Sequence, residues 1–137
     1  MSARRKARKR ALDILFSADI RHDSLETALS AEAVRAASEP DREASWLYAR
    51  EIVDGIIDNA EVIDETIETH ARGWSISRMP AVDRAILRMG TWEILYNVDV
   101  PDTVAVSEAV ELATTLSTDD SPTFINGVLG AIAATPH

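Results

Sequence analysis

Residues 83–130, DRAILRMGTWEILYNVDVPDTVAVSEAVELATTLSTDDSPTFINGVLG, read as three successive helices whose boundaries are written in residue types. In the first, Val82, Ala85, Ile86, Met89 and Tyr96 fall on one face at helical spacing, and Leu87 and Ile94 widen that stripe. A helix with so broad an apolar face is covered on more than one side, so this one is expected to be central. Asp99-Val100-Pro101-Asp102 ends it, because proline has no N–H for the ladder and drives the residue before it out of the α region. The second helix turns Val106, Ala109, Val110, Ala113 and Leu116 inward and Ser107, Glu108 and Glu111 outward. Ser121-Pro122 marks the third start, with serine as N-cap and proline at the first helical position. Phe124, Ile125, Val128, Leu129 and Ile132 form its buried face.

The remaining chain continues in the same helical pattern. Ala11, Leu12, Leu15, Phe16 and Ala18 make an amphipathic stripe behind a basic run, and Leu25, Ala28, Leu29 and Ala33 make a shorter one that breaks at Ser38-Glu39-Pro40-Asp41. Trp46, Ala49, Val53, Ile56, Ala60, Ile63, Ile67 and Trp74 keep helical spacing over about eight turns. A cut is expected near Asp58-Asn59, where either residue can cap a new helix and Gly55 weakens the turn before. One all-α domain of 137 residues, 46% of them hydrophobic, is long enough to bury a sizeable core.

Charge is distributed unevenly. Residues 1–10 carry six basic and no acidic side chains, leaving eight basic against 23 acidic, or −15, over the rest of a chain whose total is −9. One end therefore attracts polyanions while the body repels them, which points to localised nucleic-acid contact. Like charges packed so densely disfavour an isolated helix, so the first residues are expected to stay disordered until an anion neutralises them. A solubilising tail is the plainer reading of the same run.

Few features suggest chemistry. There is no cysteine, and His22, His70 and His137 lack ligand-spaced companions, so neither a metal nor another cofactor is expected. No nucleophile motif, signal peptide or segment of roughly 20 apolar residues occurs, which makes a cytoplasmic, non-enzymatic protein the default. Asp119-Asp120 reads as a complement to the dipole of the following helix rather than a cation site. Glu93 lies on the apolar face of the central helix without a partner acid or base, so a structural hydrogen bond to backbone or to an arginine is expected, one that glutamine would largely preserve. Gly127 and Gly130 each cost roughly 1 kcal/mol inside a helix, explained by close approach of a backbone or partner, or by chance on a tolerant face.

Taken together, these segments resemble the NusB-type antitermination factors along nearly the whole chain. The resemblance is carried by Arg4-Arg5-Lys6-Ala7-Arg8 with Ala11 to Phe16, by Asp83 to Arg88 with Glu93, by Asp99-Val100-Pro101, by Ser107 to Ala113, and by Phe124 to Leu129. It implies about seven helices in two small subdomains, residues 1–58 and 59–137. It further implies an RNA-binding protein that engages the boxA element of ribosomal RNA transcripts with the ribosomal protein NusE, within an RNA polymerase antitermination complex, as a monomer or a homodimer. Position by position, Arg4, Arg5, Lys6 and Arg8, continued by Lys9 and Arg10, resemble the family's arginine-rich RNA motif. Asp120, Phe124 and Asn126 resemble the neighbouring RNA surface, and Phe16, Asp83 and Arg88 the NusE side. Phenylalanine at 16, where tyrosine also occurs in the family, keeps a stacking face without the hydroxyl. Thr114-Thr115 stands where the family commonly has lysine. Two other readings are a structural interaction module with an incidental basic tail, and the RNA-binding module of a ribosomal RNA methyltransferase, for whose methyl-donor domain this chain leaves no room.

Overall fold

Seven α-helices account for most of residues 2–137, which the computed structural model describes: α1 Ala3–Arg21, α2 Leu25–Ala36, α3 Glu43–Asp58, α4 Ala60–His70, α5 Ala81–Tyr96, α6 Asp102–Leu116 and α7 Ser121–Ala134. Single 3-10 turns at Pro40–Arg42 and Ile76–Arg78 precede α3 and α5. There is no strand among the described residues. Helix α5 is the hub: α1, α3, α4, α6 and α7 all pack on it, and α2 lies along α1 and α3. Its buried positions run almost continuously from Ala85 to Ile94, with Ile86, Leu87 and Met89 fully enclosed.

The arm is ordered, contrary to the expectation from its charge. Helix α1 begins at Ala3, with Ser2 as N-cap accepting the Arg5 N–H at 3.1 Å. Basic residues in a first turn oppose the helix dipole. The protein's own carboxylates offset this: Glu108 and Glu111 reach Arg5, Glu93 reaches Arg8, Asp13 reaches Lys9, and Glu32 and Glu39 reach Arg10. The neutralising anion is internal.

The long apolar run breaks at Asn59, but not by capping α4. Its side-chain Nδ2 donates to the Gly55 carbonyl at 2.8 Å, closing the end of α3 instead. Glycine at 55 is required by packing, since a Cβ there would lie 1.8 Å from Trp92 Nε1. Gly90 likewise seats Leu129, whose Cδ1 would meet a Cβ at 2.6 Å. Gly127 and Gly130 have open space around them, so no backbone approach within the chain explains them.

Several residues assigned to apolar stripes are exposed. Tyr96 and Leu116 are the last residues of α5 and α6, and Phe16, Ala33 and Ala60 face solvent; none of α2 is fully buried. Trp74 leaves the stripe because the chain turns at Arg72 and Gly73, both at positive φ. Conversely, Tyr48, Ile52 and Ala105 are buried although the stripes omitted them.

Glu93 sits at the centre, 1% exposed. Arg8, itself 3% exposed, donates to it from Nε at 2.9 Å and from Nη2 at 3.0 Å. The Tyr48 hydroxyl donates to the same carboxylate, and Asn97 Nδ2 donates to the Tyr48 oxygen at 2.9 Å. Burial by itself would lower the Arg8 pKa, but the hydrogen bond and charge of Glu93 outweigh it and raise it. Burial, then the bond to the carboxylate, pushes the Tyr48 phenol well above its ordinary range.

Because the partner is a charged arginine, glutamine at 93 is not the mild change that the sequence suggested. An amide would present N–H to the donors of Arg8 and leave a buried cation uncompensated. Glu93→Gln and Glu93→Ala should each lose about 3 to 5 kcal/mol in urea unfolding, whereas Arg8→Met combined with Glu93→Leu should recover much of it. A Glu93→Gln loss below about 1 kcal/mol would refute this assignment.

Candidate nucleic-acid interface

The first three turns of α1 divide their cations by direction. Arg8, expected on the RNA surface, points inward at 3% exposure and spends Nε and Nη2 on Glu93, which gives it a structural part in the protein. Arg4, Arg5, Lys6 and Lys9 are exposed, and Arg10 is half-buried. The Arg4 guanidinium lies 5.0 Å from the centre of the Tyr48 ring, so the buried network also seats an outward cation. Arg10 is held by Glu32 at 3.2 Å and Ser45 at 3.4 Å and packs over Trp46 at 5.6 Å. Among the described residues, Arg4 and Lys6 form no ion pair within 4 Å.

Between α1 and α6 runs a groove of about 210 Å³, with Arg5 and Lys9 on one wall, Glu108 and Glu111 on the other, and Leu112 and Leu116 in its lining. Arg5 Nε donates to Glu108 at 3.0 Å and Nη2 to Glu111 at 3.1 Å. The hydrogen bond and charge of Glu108, with the charge of Glu111, raise the Arg5 pKa. Thr114 and Thr115 are exposed on the same helix, and their hydroxyls bond back to the carbonyls of Val110 and Glu111.

The second group of expected residues lies at the start of α7. Phe124 meets Trp74 edge-on at 6.4 Å, and the two rings line an apolar cleft of about 310 Å³ with Met79 and Pro80, at whose border stands Asp120. Asn126 is exposed nearby on α7. No hydrogen bond or ion pair joins this group to the basic arm among the described residues. Trp74 was missed as a site residue; the positive-φ turn that aims it here shows in sequence only as Gly73.

Of the residues expected to face a protein partner, Phe16 is exposed, one turn before exposed Ile20. Arg88 is half-buried and bidentate to Asp64 at 2.9 and 3.1 Å. Asp83, expected on the same side, is 4% exposed and accepts from the hydroxyls of Ser117 and Ser121, joining the end of α6 to the start of α7. Ser121 therefore bonds across to α5 instead of capping its own helix, and Asp120 occupies the N-cap position without a side-chain bond. Among the described residues no cluster of histidine and carboxylate side chains suits a metal ion, and no helix is long and apolar enough to cross a membrane.

Residues 5–134 match the family model described as NusB family. The transcription antitermination protein NusB of Leifsonia xyli subsp. xyli is 72% identical, with 97% of this chain and 92% of that protein covered. That of Clavibacter sepedonicus is 62% identical, with 98% of each covered. Among solved structures, T. maritima NusB superposes with a TM-score of 0.83 at 35% identity, covering 95% of this chain and 89% of that one. A chain from a crystal structure of antitermination factors NusB and NusE in complex with double-stranded RNA gives 0.82 at 29% identity, covering 97% of both.

The buried position of Asp83 sets an expectation for its replacement. Asp83→Ala should lower the stability in urea unfolding by about 1 to 3 kcal/mol by leaving two buried or half-buried hydroxyls without their acceptor. The same change made in a Ser117→Ala, Ser121→Ala background should cost distinctly less. Equal losses in both backgrounds would place the effect of Asp83 elsewhere.

Proposed function

The chain belongs to the NusB family, and from that premise we propose that it is a non-enzymatic RNA-binding factor of the cytoplasm that engages boxA of ribosomal RNA transcripts jointly with NusE. In that role it holds RNA polymerase in a termination-resistant complex. The observation that carries the reading is the outward set Arg4, Arg5, Lys6 and Lys9, presented on an ordered helix by the inward Arg8. Phosphate contacts position a strand and base contacts specify it. The arm supplies the first kind, and Phe124, with Asn126 and Asp120 beside it, offers a ring face and polar groups of the second kind. Phe16 and Arg88 are proposed for the NusE side. The division into residues 1–58 and 59–137 separates the helices that carry the arm from those that carry Phe124, with α5 as the shared wall.

Electrostatics favour dependence on the partner. Of the outward arm cations, Arg5 and Lys9 are already paired with the protein's own acids, and the rest of the chain carries −15. A body of that sign raises the potential against phosphate, so a basic partner supplies the field that the protein lacks. Thr114-Thr115, uncharged and bonded back to its own helix, adds none.

Titration of boxA RNA into the protein, with and without NusE at matched salt, tests the proposal. Binding by the protein alone should be weak; NusE should tighten it by 5- to 150-fold, and RNA should tighten NusE binding by the same factor. Tight binding without NusE would overturn the dependence. Arg4→Ala with Lys6→Ala should reduce the salt slope by about 1.4, from roughly 0.7 for each single-strand phosphate contact. Thr114→Lys should raise the affinity of the protein alone and shrink the benefit of NusE.

A further inference from the structure

We infer that the groove between α1 and α6 is a phosphate site which the free protein fills with its own carboxylates, and that Glu108 and Glu111 set the RNA affinity by competing for Arg5. The inference rests on the proposed RNA-binding role and adds to it a pair of residues that act against binding. Three observations carry it. Arg5 spends Nε and Nη2 on two different carboxylates, at 3.0 and 3.1 Å, in the orientation in which a guanidinium receives phosphate oxygens. Its side chain nevertheless remains 46% exposed, so a strand can reach it from solvent. The two acids are one turn apart on α6, Glu108 mostly covered at 18% and Glu111 open at 57%, so one is fixed and the other is free to swing away.

This arrangement selects ligands by valency. Carboxylates tethered beside Arg5 act at a high effective concentration, which a single dissolved phosphate does not match. A continuous phosphodiester strand does, because its neighbouring phosphates engage the unpaired Arg4 and Lys6 and hold the next one beside Arg5. The groove therefore admits a polyanionic strand and resists isolated anions. Leu112 and Leu116 in the groove lining limit hydration of the ions and sharpen the exchange.

The test is a double-mutant cycle read by anisotropy of labelled boxA RNA, with NusE present and urea unfolding as a check that each variant folds. Glu108→Gln with Glu111→Gln should bind about 2- to 30-fold more tightly, the range expected when two surface ion pairs no longer compete. That gain should vanish in an Arg5→Ala background. Glu51→Gln with Glu61→Gln, which removes the same charge from acids outside the groove, should give a much smaller gain. A gain that survives Arg5→Ala, or that the Glu51/Glu61 variant matches, reduces the effect to general charge and overturns the competition. No gain overturns it as well. Failure of wild-type protein to bind boxA RNA even with NusE would refute the RNA role itself, a result distinct from normal wild-type binding with no gain on removing the acids.

Discussion

The buried pair of Arg8 and Glu93 is the constraint around which the helices are arranged. An arginine enclosed to this extent is tolerated only when its charge is met, which Glu93 does, while Tyr48 donates to the same carboxylate and Asn97 donates to Tyr48, so that three other points of the chain hold the pair. The pair fixes the rotation of α1 about its axis, because turning the helix would withdraw Arg8 from its acceptor. With Arg8 directed inward, Lys6, two positions before it, falls on the opposite, outward side, whereas Arg4 and Arg5, one turn before it, share its side of the helix and flank the buried pair. Arg4 there lies over the Tyr48 ring and Arg5 reaches Glu108 and Glu111, so both stay at the surface beside the network.

The fold also resolves a conflict in the chain's electrostatics. A basic segment attached to an acidic body would fold back onto it without order if the attraction were diffuse. Here the pairs are discrete and span α1, α2, α5 and α6, so the attraction organises the arm. The consequence for binding is that few arm cations remain wholly free. Internal pairing favours the folded arm and at the same time weakens its pull on a polyanion, and those opposed effects arise from the same contacts.

The start of α7 follows a comparable logic with uncharged partners. Asp83 on α5 gathers the hydroxyls of Ser117 and Ser121, which orients the start of α7 and therefore Phe124 one turn later. Trp74 approaches the same ring from the turn after α4. Both proposed contact regions are held from below by a carboxylate on α5, Glu93 for the arm and Asp83 for α7.

Local signals were sufficient for the helices themselves. Proline at 101 and 122, the break near Asn59 and the periodic apolar positions act over a few residues, so the sequence by itself determined an all-α chain, its central helix and the polarity of its two ends. The family resemblance rests on the same local segments. The tertiary structure alone decided which cation of the arm is structural, which acids oppose it, and that Asp83 is buried. Arg8 and Glu93 are 85 residues apart, and Arg5 and Glu108 are 103 apart. Helical periodicity relates residues one turn apart and carries no information on which helix covers a given face. Phe16 and Trp74 show the same boundary: each fits its stripe by spacing yet is exposed in the fold, Trp74 because the chain turns just before it.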